Sequence, residues 1–273
     1  MGLESILLAI GGGLYMREYE PSWLDIREVR LKLPRLAKPF SGLRIVQISD
    51  LHYGGWMTKE YLADIVKSVI EQSPDLVVIT GDFVMGYNFA PAIFEKLGEL
   101  ADMLKVCSDL YLTLAVLGNH DYWLNRDSVM DMLHRAGIKD LNNSVYSIEC
   151  GGEMLHIAGV DDVLEGHARM DQVLSQLPEN GCAILLAHEP DYADISARTG
   201  RFDLQLSGHS HGGQVVLPLF GPPVLPRLAR KYHTGLYKVN GMVQYTSRGV
   251  GMTTPYIRFN CRPEITVFNL AQT

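Results

Sequence analysis

Two histidines, His209 and His211, sit two residues apart among glycines in Gly208-His209-Ser210-His211-Gly212-Gly213, directly after the apolar run Leu204-Gln205-Leu206. Neutral imidazole is the commonest side-chain metal ligand. A pair at i, i+2 can address one point if the backbone turns sharply, which glycine permits. Alone the pair is a weak signal, because two histidines on one face of a surface strand look the same. Four more apolar runs, however, end in the same way. Residues 43–48 lead into Ser49-Asp50-Leu51-His52, 76–80 into Gly81-Asp82, 111–117 into Gly118-Asn119-His120-Asp121, and 183–187 into His188. A lone aspartate after a strand is usually a turn or cap residue. Five such endings, three with a glycine beside the reactive residue, argue against that account.

The chemistry follows from the residue types. Asp50, His52, Asp82, Asn119, His188, His209 and His211 offer carboxylate, imidazole and amide donors. That mixed set suits Mn, Fe or Zn better than Ca. It also exceeds what one tetrahedral ion takes. Two ions ~3.5–4 Å apart, sharing a carboxylate and a water as in dinuclear phosphatases, fit better. His120 flanks a ligand and is the natural proton donor to a leaving oxygen. Asp121 either orients His120 or serves as a helix-start carboxylate.

The elements between these endings are helices. Tyr61, Leu62, Ile65, Val66, Val69 and Ile70 share one helical face, stopped by Ser73-Pro74. Ile93, Phe94, Leu97, Leu100 and Leu104 mark a second helix. A third is expected from an Asp127 cap through Arg135, closed by Gly137, and a fourth over 170–177. Strands alternating with helices bring their carboxyl ends to one edge, where open α/β sheets bind ligands. Gly151-Gly152 reads as a hairpin turn. Residues 1–40 form a lead-in, with 29–33 alternating as an edge strand, and stretches at 235–238, 242–247 and 264–268 read as closing strands. With no repeat and no linker, residues 1–273 are expected to form a single domain with a sizeable core.

The formal charge of -7 argues against a nucleic-acid partner. Cys107, Cys150, Cys182 and Cys261 form no CxxC pair and are expected to be buried free thiols, as suits a reducing compartment. The apolar residues 6–10 are too short to cross a bilayer, which takes ~20 residues. They carry neither a basic flank nor twin arginines, so no export signal is expected. A docked segment in a cytoplasmic protein is expected, with contact to the inner-membrane surface as the alternative. Residues 214–235 form an apolar, proline-rich flap rimmed by Arg227, Arg230 and Lys231. Such a flap suits an amphiphilic phosphate, acyl chains on leucine and phenylalanine and phosphate on arginine. It equally suits a loop packed over the sheet edge. Arg248 is a further candidate for a substrate phosphate, or else for a surface ion pair.

The five motifs, in this order from Asp50 to His211, resemble the calcineurin-like metallophosphoesterases. The resemblance implies an α/β fold, a double β-sheet sandwich flanked by helices with the site at one edge. It implies two divalent metal ions, manganese foremost, with iron, zinc or cobalt as alternatives. Asp50, His52 and His211 would hold one ion, Asn119, His188 and His209 the other, and Asp82 would bridge. His120 would contact a phosphate oxygen or protonate the leaving group, while a metal-activated hydroxide attacks phosphorus in line. The flap and Ser247-Arg248-Gly249 are similar to a membrane-associated branch of phosphodiesterases. That branch includes enzymes cleaving UDP-2,3-diacylglucosamine in lipid A synthesis, which implies a phosphodiester or pyrophosphate bond in a nucleotide-linked lipid. A general phosphodiesterase on small soluble substrates is the alternative. A nuclease is disfavoured by the acidic balance, and a non-catalytic scaffold by the presence of His120.

Overall fold

Apolar runs that show no alternation are what strands covered on both faces look like. The computed structural model, which describes residues 11–86 and 92–272, arranges them in two six-stranded sheets. One runs β1 (Asp25–Leu33), β12 (Glu264–Gln272), β2 (Arg44–Ile48), β3 (Leu76–Thr80), β4 (Thr113–Val116), β5 (Lys139–Asp140). The other runs β10 (Gly235–Val239), β11 (Met242–Thr246), β9 (Leu204–Ser207), β8 (Cys182–Leu186), β7 (Glu153–Gly159), β6 (Ser144–Cys150). Within them β2, β3 and β4 are mutually parallel, as are β7, β8, β9 and β11. The helices that flank the sheets include α1 (Lys59–Glu71), α2 (Ala92–Ser108), α3 (Asn119–Leu124), α4 (Arg126–Arg135), α5 (Met170–Gln176) and the single turn α6 (Ala193–Ser196).

Strand alternation sorts the core into layers. Leu76 and Val78 of β3 meet Ile184 of β8 and Leu206 of β9 in the cluster between the sheets. The intervening Val77 and Ile79 pack with Leu62 and Ile65 of α1, Leu100 of α2 and Leu133 of α4. On the far side, Ala183 and Leu185 of β8 pack with Val173 of α5 and Ala193 of α6. The result is helix, sheet, sheet, helix, the double sandwich that the motifs implied. Each aliphatic side chain fully buried in it stabilises by ~1.5–3 kcal/mol.

Several local expectations are met and some are not. The residues between β6 and β7 are Gly151 and Gly152, both at positive φ (59° and 79°), as a two-residue hairpin turn requires. The alternating stretch at 29–33 lies in β1, an edge strand parallel to β12. The cap of α4 is Asn125, not Asp127: its side chain accepts from the Ser128 N–H at 2.9 Å. The preceding residues form the separate helix α3, beginning at Asn119. Cys107, Cys182 and Cys261 are buried, but Cys150 is exposed at the end of the edge strand β6. The expected docked segment, 6–10, lies outside the described residues. Among the described residues no helix is long and apolar enough to cross a membrane.

Candidate metal centre

The candidate ligands leave the carboxyl ends of five strands that are neighbours within their sheets: β2, β3 and β4 in one, β8 and β9 in the other. Cross-sheet hydrogen bonds lock the two sets of ends together. The Gln47 amide donates to Thr80 Oγ1 within its own sheet (2.9 Å) and across to the Ser207 carbonyl of the other (3.0 Å). The Asp50 carboxylate accepts the backbone N–H of His209 at 3.0 and 3.2 Å. The glycines are there for space. A side chain at Gly118 would place its Cβ 2.4 Å from Asp82 Oδ1, and one at Gly208 would sit 1.9 Å from Ser49 Oγ.

Asp50, His52, Asp82, His209 and His211 all have positive φ, between 47° and 67°. Left-handed backbone at a non-glycine residue costs ~1–3 kcal/mol and persists only where the surroundings impose it. Here it turns each side chain off its strand end toward a common point. Ligand atoms of Asp50, His52 and His211 lie within 4.8 Å of one another, as do those of Asp82, His188 and His209, and those of His52, Asp82 and His120. His52 Nε2 is 2.9 Å from His211 Nε2 and 3.5 Å from Asp82 Oδ2. Asp82 Oδ2 is also 3.2 Å from His188 Nε2, which is 3.2 Å from His209 Nδ1. One carboxylate oxygen thus stands between the two groups.

Backbone carbonyls set the imidazole tautomers. His188 Nδ1 donates to the Thr80 carbonyl at 2.6 Å, and His209 Nε2 to the Arg227 carbonyl at 2.8 Å. Each therefore turns its other nitrogen inward. His120 Nδ1 likewise donates to the Met85 carbonyl, and its backbone N–H donates to Asp82 Oδ1 at 2.9 Å. Its ring meets that of His52 edge to face, with centroids 4.4 Å apart. Asp121, next in sequence, caps the start of α3. Its carboxylate accepts the backbone N–H groups of Asp82, Phe83, Val84 and Gly118 at 2.8–3.3 Å, joining the β3 and β4 loops.

Burial drives the electrostatics. It holds His52 down at about 3 with help from His120, and holds His211 well below the usual range together with His52. These imidazoles stay neutral, with lone pairs available. Burial alone would raise the Asp82 carboxyl, but His188, His120 and His52 outweigh it and keep it ionised. Asn119 Oδ1 is buried and has no hydrogen-bond partner among the described residues. Crowded imidazoles, an ionised carboxylate between them and an orphaned amide oxygen are donors that two divalent cations would satisfy. Protein purified with Mn available is expected to retain about two equivalents per chain. Elemental analysis finding none, with no uptake of added Mn, would remove this reading.

A cavity of about 600 Å³ opens onto Asp82, Asn119, His120, His209 and His211. Trp123, Leu164, Val215, Pro223, Val224 and Pro255 supply apolar parts of its wall. The flap therefore lines the site with one part. Its tip instead turns out at Leu217–Gly221, leaving Leu219 and Phe220 102% and 86% exposed. Of the three arginines expected near a phosphate, only Arg227 lines the cavity. Arg230 lies outside that lining, its backbone N–H bound to Asp191. Arg248 makes ion pairs to Glu264 and Asp25, each 2.5 Å, and these are largely buried rather than on the surface.

A sequence profile of the calcineurin-like phosphoesterase family matches residues 43–213. The chain is 34% identical to the uncharacterized metallophosphoesterase YkuE of Bacillus subtilis (strain 168), over 97% of this chain and 92% of that protein. It is 32% identical to the phosphodiesterase YaeI of Escherichia coli (strain K12), over 94% and 92%. A dimetal phosphatase from Danio rerio of solved structure shares the fold at a TM-score of 0.50 and 14% identity, over 77% of this chain and 88% of that one.

Proposed function

Because this chain belongs to the calcineurin-like phosphoesterase family and is a metal-dependent phosphohydrolase, we propose that it cleaves a phosphodiester or pyrophosphate bond in an amphiphilic substrate, of the type of UDP-2,3-diacylglucosamine. One observation carries the reading. The cavity on the ligand cluster presents a mostly apolar surface, with Arg227 as the arginine among its lining residues. A doubly charged monoester calls for several cations, whereas a diester with a large apolar substituent needs one cation and a greasy wall. The phosphodiesterase among the relatives supports a diester.

In this reading Asp50, His52 and His211 hold one ion, Asn119, His188 and His209 the second, and Asp82 lies between them. Bound divalent ions supply Lewis acidity and an activated water. The protein's own residues do the rest. The carbonyls of Thr80 and Arg227 keep His188 and His209 in their ligating tautomers. The Met85 carbonyl holds the proton on His120 Nδ1, so Nε2 is the nitrogen that exchanges a proton with the substrate. Arg227 meets a phosphate oxygen at the rim. The exposed Leu219–Phe220 tip rests on the membrane surface that presents the lipid.

The test sets UDP-2,3-diacylglucosamine in vesicles beside a soluble aryl phosphodiester, with Mn added and Asp82→Ala as the blank. The lipid is expected to be the better substrate, by about 10²-fold in kcat/KM. Replacing Leu219 and Phe220 together by serine is expected to slow cleavage in vesicles only. Faster cleavage of the soluble ester would remove the amphiphilic substrate and leave a general phosphodiesterase.

A further inference from the structure

Arg258 is the largest fully buried side chain among the described residues, with 0% of its surface exposed. A buried charge is normally retained only when paired. Among the described residues no carboxylate pairs with this one. Its guanidinium donates instead to the carbonyls of Gly251 (2.7 Å), Arg248 (2.9 Å), Cys261 (2.9 Å) and Gly249 (3.1 Å). Three of these carbonyls belong to one loop, 248–251, which backs directly onto the end of β2. Val250 N–H donates to the Ser49 carbonyl at 3.0 Å, and Gly251 N–H to the Asp50 carbonyl at 2.8 Å. The fourth belongs to Cys261, whose Sγ donates to the His211 carbonyl at 3.2 Å.

The guanidinium therefore grips, from behind, the backbone that carries Asp50 and His211. No hydrogen bond of Arg258 reaches the loops bearing Asp82, Asn119 or His188. Asp50, His52 and His211 all sit at positive φ (55°, 47° and 52°), a backbone that persists only when its surroundings impose it. A planar fork reaching four carbonyls is a device for imposing it, and lysine, a point charge with three donors, cannot reproduce it.

We propose that Arg258 is a positioning residue for one half of the metal centre, holding Asp50 and His211 in place for one of the two ions. The proposal rests on the ligand assignment above. The test is Mn binding, by titration calorimetry and by the electron paramagnetic resonance of the bound ion, in the intact chain. Arg258→Lys is expected to weaken one ion by about 10-fold or more and to leave the other within about twofold, the usual size of an effect behind a ligand. Added to His188→Ala, it is expected to weaken the ion that remains; added to Asp50→Ala, to change nothing further. Should Arg258→Lys fail to fold, Cys261→Ala decides. It removes the contact to His211 and is expected to weaken the same ion more than the other. Equal weakening of both ions with a lower Tm would make Arg258 a general structural residue and overturn the proposal. Unshifted binding, with Asp50→Ala reduced to one ion, would overturn the proposal alone. Two ions still bound in Asp50→Ala would overturn the assignment and the proposal with it.

Discussion

Asp82→Ala is expected to bind neither ion tightly and to lower kcat/KM by about 10⁴-fold, equivalent to ~5 kcal/mol of transition-state stabilisation. Asp82 Oδ2 lies 3.2 Å from His188 Nε2 and 3.5 Å from His52 Nε2, one histidine from each ligand group. Removing it takes the negative charge from between the two sets of donors, so both sites weaken together. Asp50→Ala removes a donor from one group only, although its carboxylate also accepts the His209 N–H, and is expected to lose one ion. Elemental analysis and the resonance of bound Mn separate the outcomes, because a coupled pair and a single ion differ in spectrum. If the two variants each lost one ion, Asp82 would be an ordinary ligand and the bridging assignment would fall.

His120→Ala is expected to lower turnover by ~100-fold or more while metal content stays near two equivalents, the size usual for a lost general acid. The imidazole stands beside the proposed ligands rather than among them. Its Nδ1 is tied to the Met85 carbonyl, and the link to Asp82 Oδ1 comes from its backbone N–H, which alanine keeps. Leaving-group dependence makes the test specific. An aryl ester whose alcohol leaves without a proton is expected to lose within about tenfold, and a nucleotide–lipid linkage the full amount. Equal losses on both would assign His120 to a phosphate oxygen instead. A metal content of one would make it a ligand, in keeping with its closeness to His52 and Asp82.

The motif glycines were legible as part of a pattern before their reason was. The structure gives it: the positions beside Asn119 and His209 have no room for a Cβ, because a side chain from another strand occupies that space. Asp121 shows two readings separated by folding. Its place beside His120 suits either a partner for the imidazole or a helix-start carboxylate, and the structure gives the second: it accepts the Gly118 N–H at the start of α3, together with three backbone N–H groups of the β3 loop.

What the sequence by itself determined is the donor set and its order: seven side chains able to hold metal, each at the end of an apolar run, with His120 beside them. These are properties of residue type and strand periodicity, so no coordinates were needed to read them. Only the tertiary structure decided how the donors are held. The carbonyls of Thr80, Met85 and Arg227 that orient the imidazoles are backbone atoms, carried by every residue and so invisible as a pattern. Arg248 and Arg258 look alike in sequence, and their fates differ because folding brings Asp25 and Glu264 to the first and four carbonyls to the second. A charge is written in the chain, while its partner is chosen by packing.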